Sequence, residues 1–395
     1  KEIAEASYRF QQAVEKREKL IVGVNDFVQT GEKPIEILYI DESVEDEQKK
    51  AVRELRRTRD GALWIGAGGA ACGGTSASAS GPATPLSLGY FANVTHAGPV
   101  YGVKSGIYQK QLGSTTLKTQ VFNAGPAAVE ALFGGALDAA YLGPNPAINA
   151  FVKSRGQAIR IIAGATSGGA ALVVRPDITS PAQLKGKRLA SPQTGGTQDI
   201  ALRTYLAKNG LKTDVRGAGD ATIIAEENSQ TLQLFKDGKI DGGWVPEPWA
   251  SRLVLEGGGK VLVDEKSLWP AGKFVTTQLI VRTEFLQRYP GTVRALLRGE
   301  IAADKQIAAD PEKAKTVVNE QLKKLTGKSL TRETVDRAFA NITVTEDPIA
   351  SSLKQSAENA FATGLVKQAD LKGIYDLRLL DELLGRTVDD AGLGS

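Results

Sequence analysis

The sequence predicts an α/β protein whose strands alternate with helices. From Leu86 to about residue 280, short apolar runs typical of buried strands alternate with helical runs, and helices dominate the remainder. The loops that follow the strands are polar or glycine-rich. With 395 residues, of which 42% are hydrophobic and 24% charged, the chain is long enough for two or three soluble domains with a sizeable core.

The first alternating set begins with a strand over 86–91. A helix over 96–111, closed by Gly113, follows it, and Leu117, Thr119 and Val121 alternate as the next strand. Pro126 stands at the favoured first position of a helix that continues to residue 133. Three short buried strands are predicted next, over 137–142, 159–163 and 170–174.

The second set begins with a strand over 187–190 and contains a glycine loop at 191–198 that opens a helix. In this helix Thr197 is predicted as the N-cap and Asp199 lies in the first turn. An apolar stripe continues the helix through Leu202, Tyr205 and Leu206. The last strong strand signal covers 274–281.

The glycine loop predicts an anion site. A loop of this kind presents free backbone N–H groups and the positive end of the helix dipole. It has no lysine after the glycines, which argues against nucleotide binding. An ordinary strand-to-helix turn is the alternative interpretation. The predicted ligand-binding residues in this loop are Thr194, Gly195, Gly196, Thr197 and Gln198.

Ligands in open α/β sheets bind beyond the carboxyl ends of the strands, so the other polar loops are candidates as well. Two indoles around the rigid Pro246-Glu247-Pro248 turn are expected to form one wall of a small-molecule pocket, with Glu247 as a hydrogen-bond acceptor. Packing at the lobe surface is the alternative for these indoles. The candidates outside the glycine loop are Asn93, Thr95, His96, Gly143, Asn145, Ser167, Gly168, Trp244, Glu247 and Trp249.

The composition argues against several classes of function. His96 is the only histidine and has no spaced nucleophile or carboxylate, so we expect it to bind a ligand or cap a helix, and we predict no catalytic residues. One cysteine and one histidine exclude a Cys/His zinc site, and no metal or cofactor is expected. A net charge of +4 suits a small anionic ligand or a membrane surface but is too diffuse for nucleic acid.

Residues 56–85 have the order of a bacterial lipoprotein signal. A basic stretch is followed by a short apolar run, small residues, Cys72 and a flexible Gly/Ser/Ala tether. The apolar run is too short to span a bilayer as a helix. We expect lipid attachment at Cys72, and the alternative is a Gly/Ala linker that contains an incidental cysteine.

From residue 86 to about 384 the chain resembles the substrate-binding proteins of ABC importers for aliphatic sulfonates, within the nitrate/sulfonate/taurine group. The resemblance implies a type II periplasmic-binding-protein fold, with two lobes joined by two crossover strands. It also implies a sulfonate held in the cleft and passed to a membrane permease. The stretches that carry it are Asn93-Val-Thr-His-Ala97, residues 121–132, residues 138–146, Gly195-Gly-Thr-Gln-Asp199, residues 242–252, Phe274-Val-Thr-Thr and residues 347–353.

On this basis we expect a monomeric extracytoplasmic binding protein, with no catalysis, that is anchored to the cell envelope through Cys72. It would stay in the cytoplasm if the internal signal were not read. Nitrate and taurine are alternative ligands, and a thiamine-pyrimidine-precursor synthase of the same fold is the alternative from the enzyme class. The predicted domains are a linker over 61–85, a first lobe over 86–174 completed by 278–395, and a second lobe over 175–277.

Residues 1–60 resemble a tail segment of the large subunit of methylmalonyl-CoA mutase. The stretches that carry this resemblance are residues 2–11, 21–27 and 34–41. In the mutase this segment lies between the substrate barrel and the cobalamin domain, and this chain has neither. Mutase activity is therefore rejected. Docking of this segment onto a mutase partner is a further hypothesis.

Overall fold

The computed structural model of the protein describes residues 85–394. The predictions for residues 1–60, the linker and Cys72 lie outside the described residues. Eleven strands are found within the described range. They are β1 (Leu86–Phe91), β2 (Leu117–Phe122), β3 (Ala139–Leu142), β4 (Ile159–Gly168), β5 (Ala170–Val174), β6 (Arg188–Ser191), β7 (Thr222–Ala225), β8 (Gly242–Pro246), β9 (Lys260–Asp264), β10 (Val275–Arg282) and β11 (Ile342–Val344).

Helices connect these strands and then cover the first sheet. Short 3₁₀ turns occur at Val94–His96, Pro181–Leu184, Glu265–Leu268 and Pro270–Gly272. The α-helices of the described range are α1 (Ala97–Lys104), α2 (Ile107–Leu112), α3 (Gly125–Phe133), α4 (Pro144–Lys153), α5 (Thr197–Lys208), α6 (Asn228–Lys236), α7 (Trp249–Leu255), α8 (Thr283–Arg288), α9 (Pro290–Ala309), α10 (Pro311–Thr326), α11 (Arg332–Ala340), α12 (Ala350–Ala362) and α13 (Arg378–Leu384).

The strands form two separate sheets. The first has the order β11-β4-β10-β3-β1-β2, and the second has the order β7-β6-β8-β5-β9. Strand β1 is parallel to β2 and β3, and β6 is parallel to β7 and β8. The carboxyl ends of each parallel set therefore meet at one edge of their sheet, where the connecting loops form a cleft.

Two crossovers join the lobes. The first is Gly169, which lies between β4 in the first sheet and β5 in the second. Because β5 pairs with β8 and β9, the second lobe begins about five residues before the predicted boundary at 175. The second crossover lies between β9 and β10, and β10 returns the chain to the first sheet by pairing with β3 and β4.

Each lobe has its own apolar core. In the second lobe, neighbouring residues of β8 point to opposite faces of the sheet. Trp244 packs with Leu202 on one face, and Val245 packs with Phe235 on the other. This arrangement confirms the predicted fold class of two α/β lobes with crossover strands.

Two local predictions were wrong. The single helix expected over 96–111 is two helices, α1 and α2, because the chain turns at Gly106 with a positive φ of 71°. The N-cap of α5 is Gly196 rather than Thr197, which is the first helical residue. Thr197 therefore has helical backbone geometry, and its side chain does not cap its own helix.

Candidate functional site

The cleft between the lobes contains a small cavity at the carboxyl ends of the parallel strands. Its volume is about 30 Å³, which is room for two or three water-sized groups. Residues from both lobes line it: Phe91, Asn93, Thr95, His96, Asn123, Ala124, Gly125, Gly143, Pro146, Pro192, Gln193, Gly196, Thr197, Gln198, Asn228, Pro246, Thr276 and Thr277.

The N-terminus of α5 opens directly into this cavity. Thr197 is 8% exposed, and within residues 85–394 its hydroxyl oxygen has no hydrogen-bond partner. The first backbone N–H groups of a helix have no acceptor in the preceding turn. This corner of the cleft therefore offers a buried hydroxyl together with the backbone donors and the positive dipole end of a twelve-residue helix.

The glycine loop before α5 is fixed by Asp199. The Asp199 carboxylate accepts hydrogen bonds from Ser191 Oγ (3.0 Å), from the backbone N–H of Gly195 (2.9 Å) and from Arg203 Nε (2.9 Å). Gly195 thus uses its N–H within the loop, and Thr194 is exposed and does not line the cavity. These two predicted binding residues shape the loop, whereas Gly196, Thr197 and Gln198 line the cavity.

Asn228, the first residue of α6, is a second buried polar group in the cavity wall. It is 8% exposed, and among the described residues its side-chain oxygen has no partner. Asn228 lies in the second lobe, as Thr197 does. Two helix N-termini of this lobe therefore bring unpaired polar atoms to the same space.

His96 lines the cavity from the first lobe. Burial lowers the pKa of its imidazole to about 3, so the ring is neutral at physiological pH. Its Nδ1 accepts a hydrogen bond from the backbone N–H of Phe91 (3.3 Å), which leaves the proton on Nε2. The ring therefore has a donor for a ligand. It does not cap α1, although His96 occupies the N-cap position of that helix.

Asn93 and Thr95 contact the second lobe as well as the cavity. Asn93 Oδ1 accepts a hydrogen bond from Trp249 Nε1 (2.9 Å), and the Thr95 N–H donates to the Glu247 carbonyl oxygen (3.3 Å). A third bond between the lobes joins Asn123 Nδ2 to Glu227 Oε1 (2.6 Å). These bonds hold the two walls of the cleft together.

Gly143 allows the lobes to approach closely. It is the N-cap of α4, and a Cβ atom at this position would overlap with the Thr197 hydroxyl and lie 3.3 Å from the carbonyl oxygen of Thr276. The severe overlap is across the cleft, with Thr197 of the second lobe, whereas the Thr276 carbonyl belongs to the first lobe.

The cavity is electrically neutral. No Asp, Glu, Lys or Arg side chain is among its lining residues in the described part of the chain, and the one histidine is uncharged. An anion placed here would be held by hydroxyl, amide and helix N-terminal N–H groups without a countercharge. Glu227, whose carboxylate accepts a hydrogen bond from the lining residue Asn123, does not itself line the cavity.

The two tryptophans do not form one pocket wall. Trp244 is fully buried in the second lobe, where its Nε1 donates to Glu265 (2.6 Å) and its ring packs against Tyr205. Trp249 lies at the start of α7, outside the inner cavity, with the Arg252 guanidinium 4.7 Å from its ring centroid. The two indoles are five residues apart on different elements and therefore point to different surroundings.

Glu247 is a structural group between the lobes. Its carboxylate accepts hydrogen bonds from Ser251 N (3.0 Å), Ser251 Oγ (3.0 Å) and Asn341 Nδ2 (2.7 Å). Burial raises its pKa, and these three bonds oppose that rise. The Glu247 carboxylate therefore accepts its hydrogen bonds from other residues of the protein and does not act as the predicted acceptor for a ligand.

Three further candidates also lie outside the cavity. Asn145 donates to the carbonyl oxygen of Ser356 (3.1 Å) and so fastens α4 to α12. Ser167 and Gly168 end β4 and pair with β11. Gly168 has a φ of 79°, and a Cβ there would lie 2.7 Å from the Asn341 carbonyl oxygen, so this glycine serves the crossover.

Several lining residues were not among the predicted site residues, notably Asn123, Asn228, Thr276 and Thr277. Asn123 directly follows β2, so the rule that located Asn93 would have located it too. Asn228 follows β7, a four-residue strand that the apolar pattern did not indicate. Thr276 and Thr277 lie on the crossover strand β10, where no loop signal exists.

Two general features of the described residues complete the site. Every helix between 85 and 394 is too short or too polar to cross a lipid bilayer. The same residues hold no cluster of three His, Cys, Asp or Glu side chains suited to a metal ion.

The chain is similar to several proteins that are named for the small molecules they bind. The chain is 28% identical over 206 residues to a taurine-binding periplasmic protein of Escherichia coli, a match that covers 52% of this chain and 61% of that protein. The alkanesulfonate-binding protein of Xanthomonas axonopodis, solved with MOPS, has a TM-score of 0.61 at 21% identity over 73% of this chain and 96% of its own. The nitrate-binding protein of Synechocystis has a TM-score of 0.61 at 16% identity over 72% and 83%. Likenesses of this level between structures show the fold.

Two sequence profiles divide the chain. Residues 1–66 match the methylmalonyl-CoA mutase profile, which confirms the resemblance of the N-terminal segment. Residues 79–320 match the NMT1-like profile, which covers more than half of the chain and includes every residue that lines the cavity. The protein therefore belongs to the NMT1-like family.

Proposed function

We propose that this protein is the extracytoplasmic substrate-binding component of an ABC importer and that it binds an aliphatic sulfonate between its lobes. The observation that carries the proposal is the pair of buried, unpartnered polar atoms, Thr197 Oγ1 and Asn228 Oδ1, at two helix N-termini in a neutral cavity. Burying a polar atom without a partner is costly, so such atoms are expected to meet a ligand.

A sulfonate head group suits this wall better than a cation does. Its three oxygens accept hydrogen bonds, and the cavity offers the Thr197 hydroxyl, the His96 Nε2–H and the backbone N–H groups at the start of α5. The Asn228 amide can present its NH₂ group, because the two ends of an amide have the same shape. The relatives named for taurine, alkanesulfonate and nitrate support an anionic ligand.

Binding without catalysis is also part of the proposal. The only histidine is neutral and cannot act as a base paired with a carboxylate, because its Nδ1 contacts a backbone N–H. This contact disfavours the thiamine-precursor synthase alternative. Lipid attachment at Cys72, a monomeric state and delivery of the ligand to a membrane permease remain proposals that rest on the family resemblance.

The test is calorimetric titration of the purified protein with methanesulfonate, hexanesulfonate, taurine, nitrate, bicarbonate and sulfate. We expect a sulfonate to bind most tightly. Tightest binding of nitrate or bicarbonate would instead assign the cavity to a small inorganic anion, as its volume of about 30 Å³ also permits.

A substitution ties the binding to the cavity. Thr197→Val keeps the shape of the side chain and removes the hydroxyl. Loss of a hydrogen bond to a charged group costs about 1.5–3 kcal/mol, so we expect about ten- to a hundredfold weaker binding. Thr197→Asp should weaken it by more than about tenfold through repulsion. Thr316→Val, an exposed position on α10, is the control. Equal affinity of all three variants would remove this helix from the site.

A further inference from the structure

A long groove leads outward from the inner cavity between the lobes. Its volume is about 700 Å³, against about 30 Å³ for the cavity. Asn93, Asn123 and Asn228 line both spaces, so the two adjoin at these residues. The groove is therefore the neighbouring space for the rest of a ligand whose head fills the cavity.

One wall of the groove is a face of α6. The lining positions on this helix are 228, 229, 232, 233 and 236, which share one side at the spacing of helical turns. The wall starts at the unpartnered Asn228, passes the buried Leu232 and ends at the exposed Lys236. The eight residue steps from Asn228 to Lys236 rise about 12 Å along the helix, so this wall leads from the cavity to a cation over roughly that distance.

The groove also has an apolar set of lining side chains. Phe122, at the end of β2, and Leu322 and Leu325 on α10 come from the first lobe, and Trp249 comes from the second. These side chains offer no hydrogen bonds apart from the Trp249 N–H, which is already bonded to Asn93. This apolar part of the groove therefore suits a hydrocarbon chain.

The outer end carries uncompensated positive charge. The ionisable residues that line the groove are Glu227, Lys236, Arg252, Glu256 and Lys328. Arg252 donates two hydrogen bonds to Glu256 (2.6 and 3.0 Å), and Glu227 accepts one from the Asn123 amide. Within residues 85–394 no carboxylate lies within ion-pair distance of Lys236 or Lys328, so both amino groups are available.

Both lysines line the groove together with Glu256. The pKa of the Glu256 carboxyl is lowered, chiefly by its hydrogen bonds from Arg252 and also by the positive charges of Lys236 and Lys328. Three cations and the Glu256 carboxylate therefore line the same groove. The surplus of positive charge remains after Arg252 and Glu256 neutralise each other.

We propose that the groove is a subsite for an elongated dianion, in which one anionic group fills the inner cavity, an apolar chain lies along α6 and a second anionic group meets Lys236 and Lys328. The inference rests on the proposed function, since it takes the inner cavity to be the seat of the head group. It adds that a second negative charge, at the far end of the tail, is recognised.

The test compares hexane-1-sulfonate with hexane-1,6-disulfonate by calorimetry at low ionic strength. Exposed ion pairs each contribute a modest amount, so we expect the disulfonate to bind about three- to thirtyfold more tightly. The preference should shrink as salt is raised. The double variant Lys236→Gln/Lys328→Gln should abolish the preference and leave the affinity for hexane-1-sulfonate within about twofold.

The matched control is Lys110→Gln/Lys153→Gln, which removes the same charge at two exposed positions that do not line the groove. It should keep the preference. Binding of hexane-1-sulfonate without any preference for the disulfonate, or equal loss of preference in both double variants, would overturn this inference and leave the proposed function intact. Failure of every sulfonate to bind would overturn the proposed function and this inference with it.

Discussion

Replacing Gly143 with alanine should weaken ligand binding without disturbing either lobe. The backbone of Gly143 is extended, with φ −75° and ψ 167°, a conformation that alanine adopts without strain. The severe collision of the added methyl group would be across the cleft, with Thr197 of the second lobe. It would overlap with Thr197 Oγ1, and it would lie 3.1 Å from Thr197 Cβ and 3.3 Å from the Thr276 carbonyl oxygen.

The size of the effect follows from overpacking. Forcing a methyl group into a filled contact costs about 1–3 kcal/mol. The lobes can relieve the collision by opening, so the cost falls on the closed, ligand-binding state. At about 1.4 kcal/mol per factor of ten, we expect the dissociation constant for a short alkanesulfonate to rise about 5- to 150-fold. The unfolding temperature of the ligand-free protein should change little.

Calorimetric titration measures the affinity, and small-angle scattering reports whether the variant is more open. Gly291→Ala is the control, because a Cβ at Gly291 in α9 meets nothing within 4 Å and alanine favours a helix. A Gly143→Ala protein that binds within twofold of the unmodified protein would show that the contact between Gly143 and Thr197 does not belong to the ligand-bound state.

The remaining predictions concern the buried aromatic and titratable groups. Trp244→Ala should lower the free energy of unfolding by about 3–5 kcal/mol in urea titrations. It should weaken the binding of short and long alkanesulfonates by the same factor. Trp249→Ala should weaken the binding of octanesulfonate more than that of methanesulfonate. An equal loss of affinity for both would show that Trp249 acts only through its hydrogen bond to Asn93. Folding lowers the pKa of His96 to about 3. As the pH drops from about 6.5 toward 3, the imidazole takes up a proton in the unfolded chain but not in the folded one, so the free energy of unfolding decreases. His96→Gln should reduce the dependence of the free energy of unfolding on pH in this range. An unchanged dependence would show that His96 is not the buried group responsible. Burial raises the pKa of Glu265 to about 7, so stability is lost as pH rises from about 4.5 through 7. Glu265→Gln should therefore raise the melting temperature, relative to the unmodified protein, by more at pH 8 than at pH 5.

The strands and the general position of the cleft could be predicted because both depend on local patterns. The apolar runs at Leu86–Phe91 and Ala170–Val174 are strands with the predicted bounds. Polar loops after parallel strands mark one edge of a sheet whatever the details of the lobes are. This rule placed Asn93, His96 and Thr197 in the loops that now line the cavity.

The failures have a common physical origin. Both faces of the second sheet are covered by helices, so the alternation along β8 does not show which side chain meets the cleft, and Trp244 points into a core. Glu247 looked available because its partners Ser251 and Asn341 come from a later turn and from the other lobe. Contacts of this kind depend on how the crossovers bring distant segments together, and a single sequence does not show them.

The neutral character of the cavity bears on how binding could be signalled. The charge of a bound anion is not neutralised here, because dipoles and no cationic side chain hold it. These dipoles act strongly only when water is excluded. Closure is therefore needed for tight binding. Yet the lobes already touch through Asn93–Trp249 and Asn123–Glu227. A ligand shifts the balance between open and closed lobes only by the difference in its affinity for the two states. The unpartnered Thr197 hydroxyl and Asn228 amide supply that difference, because closure without an anion leaves them buried and unsatisfied. A bound anion accepts a hydrogen bond from the Thr197 hydroxyl, and from Asn228 when the amide turns its NH₂ group toward the cavity.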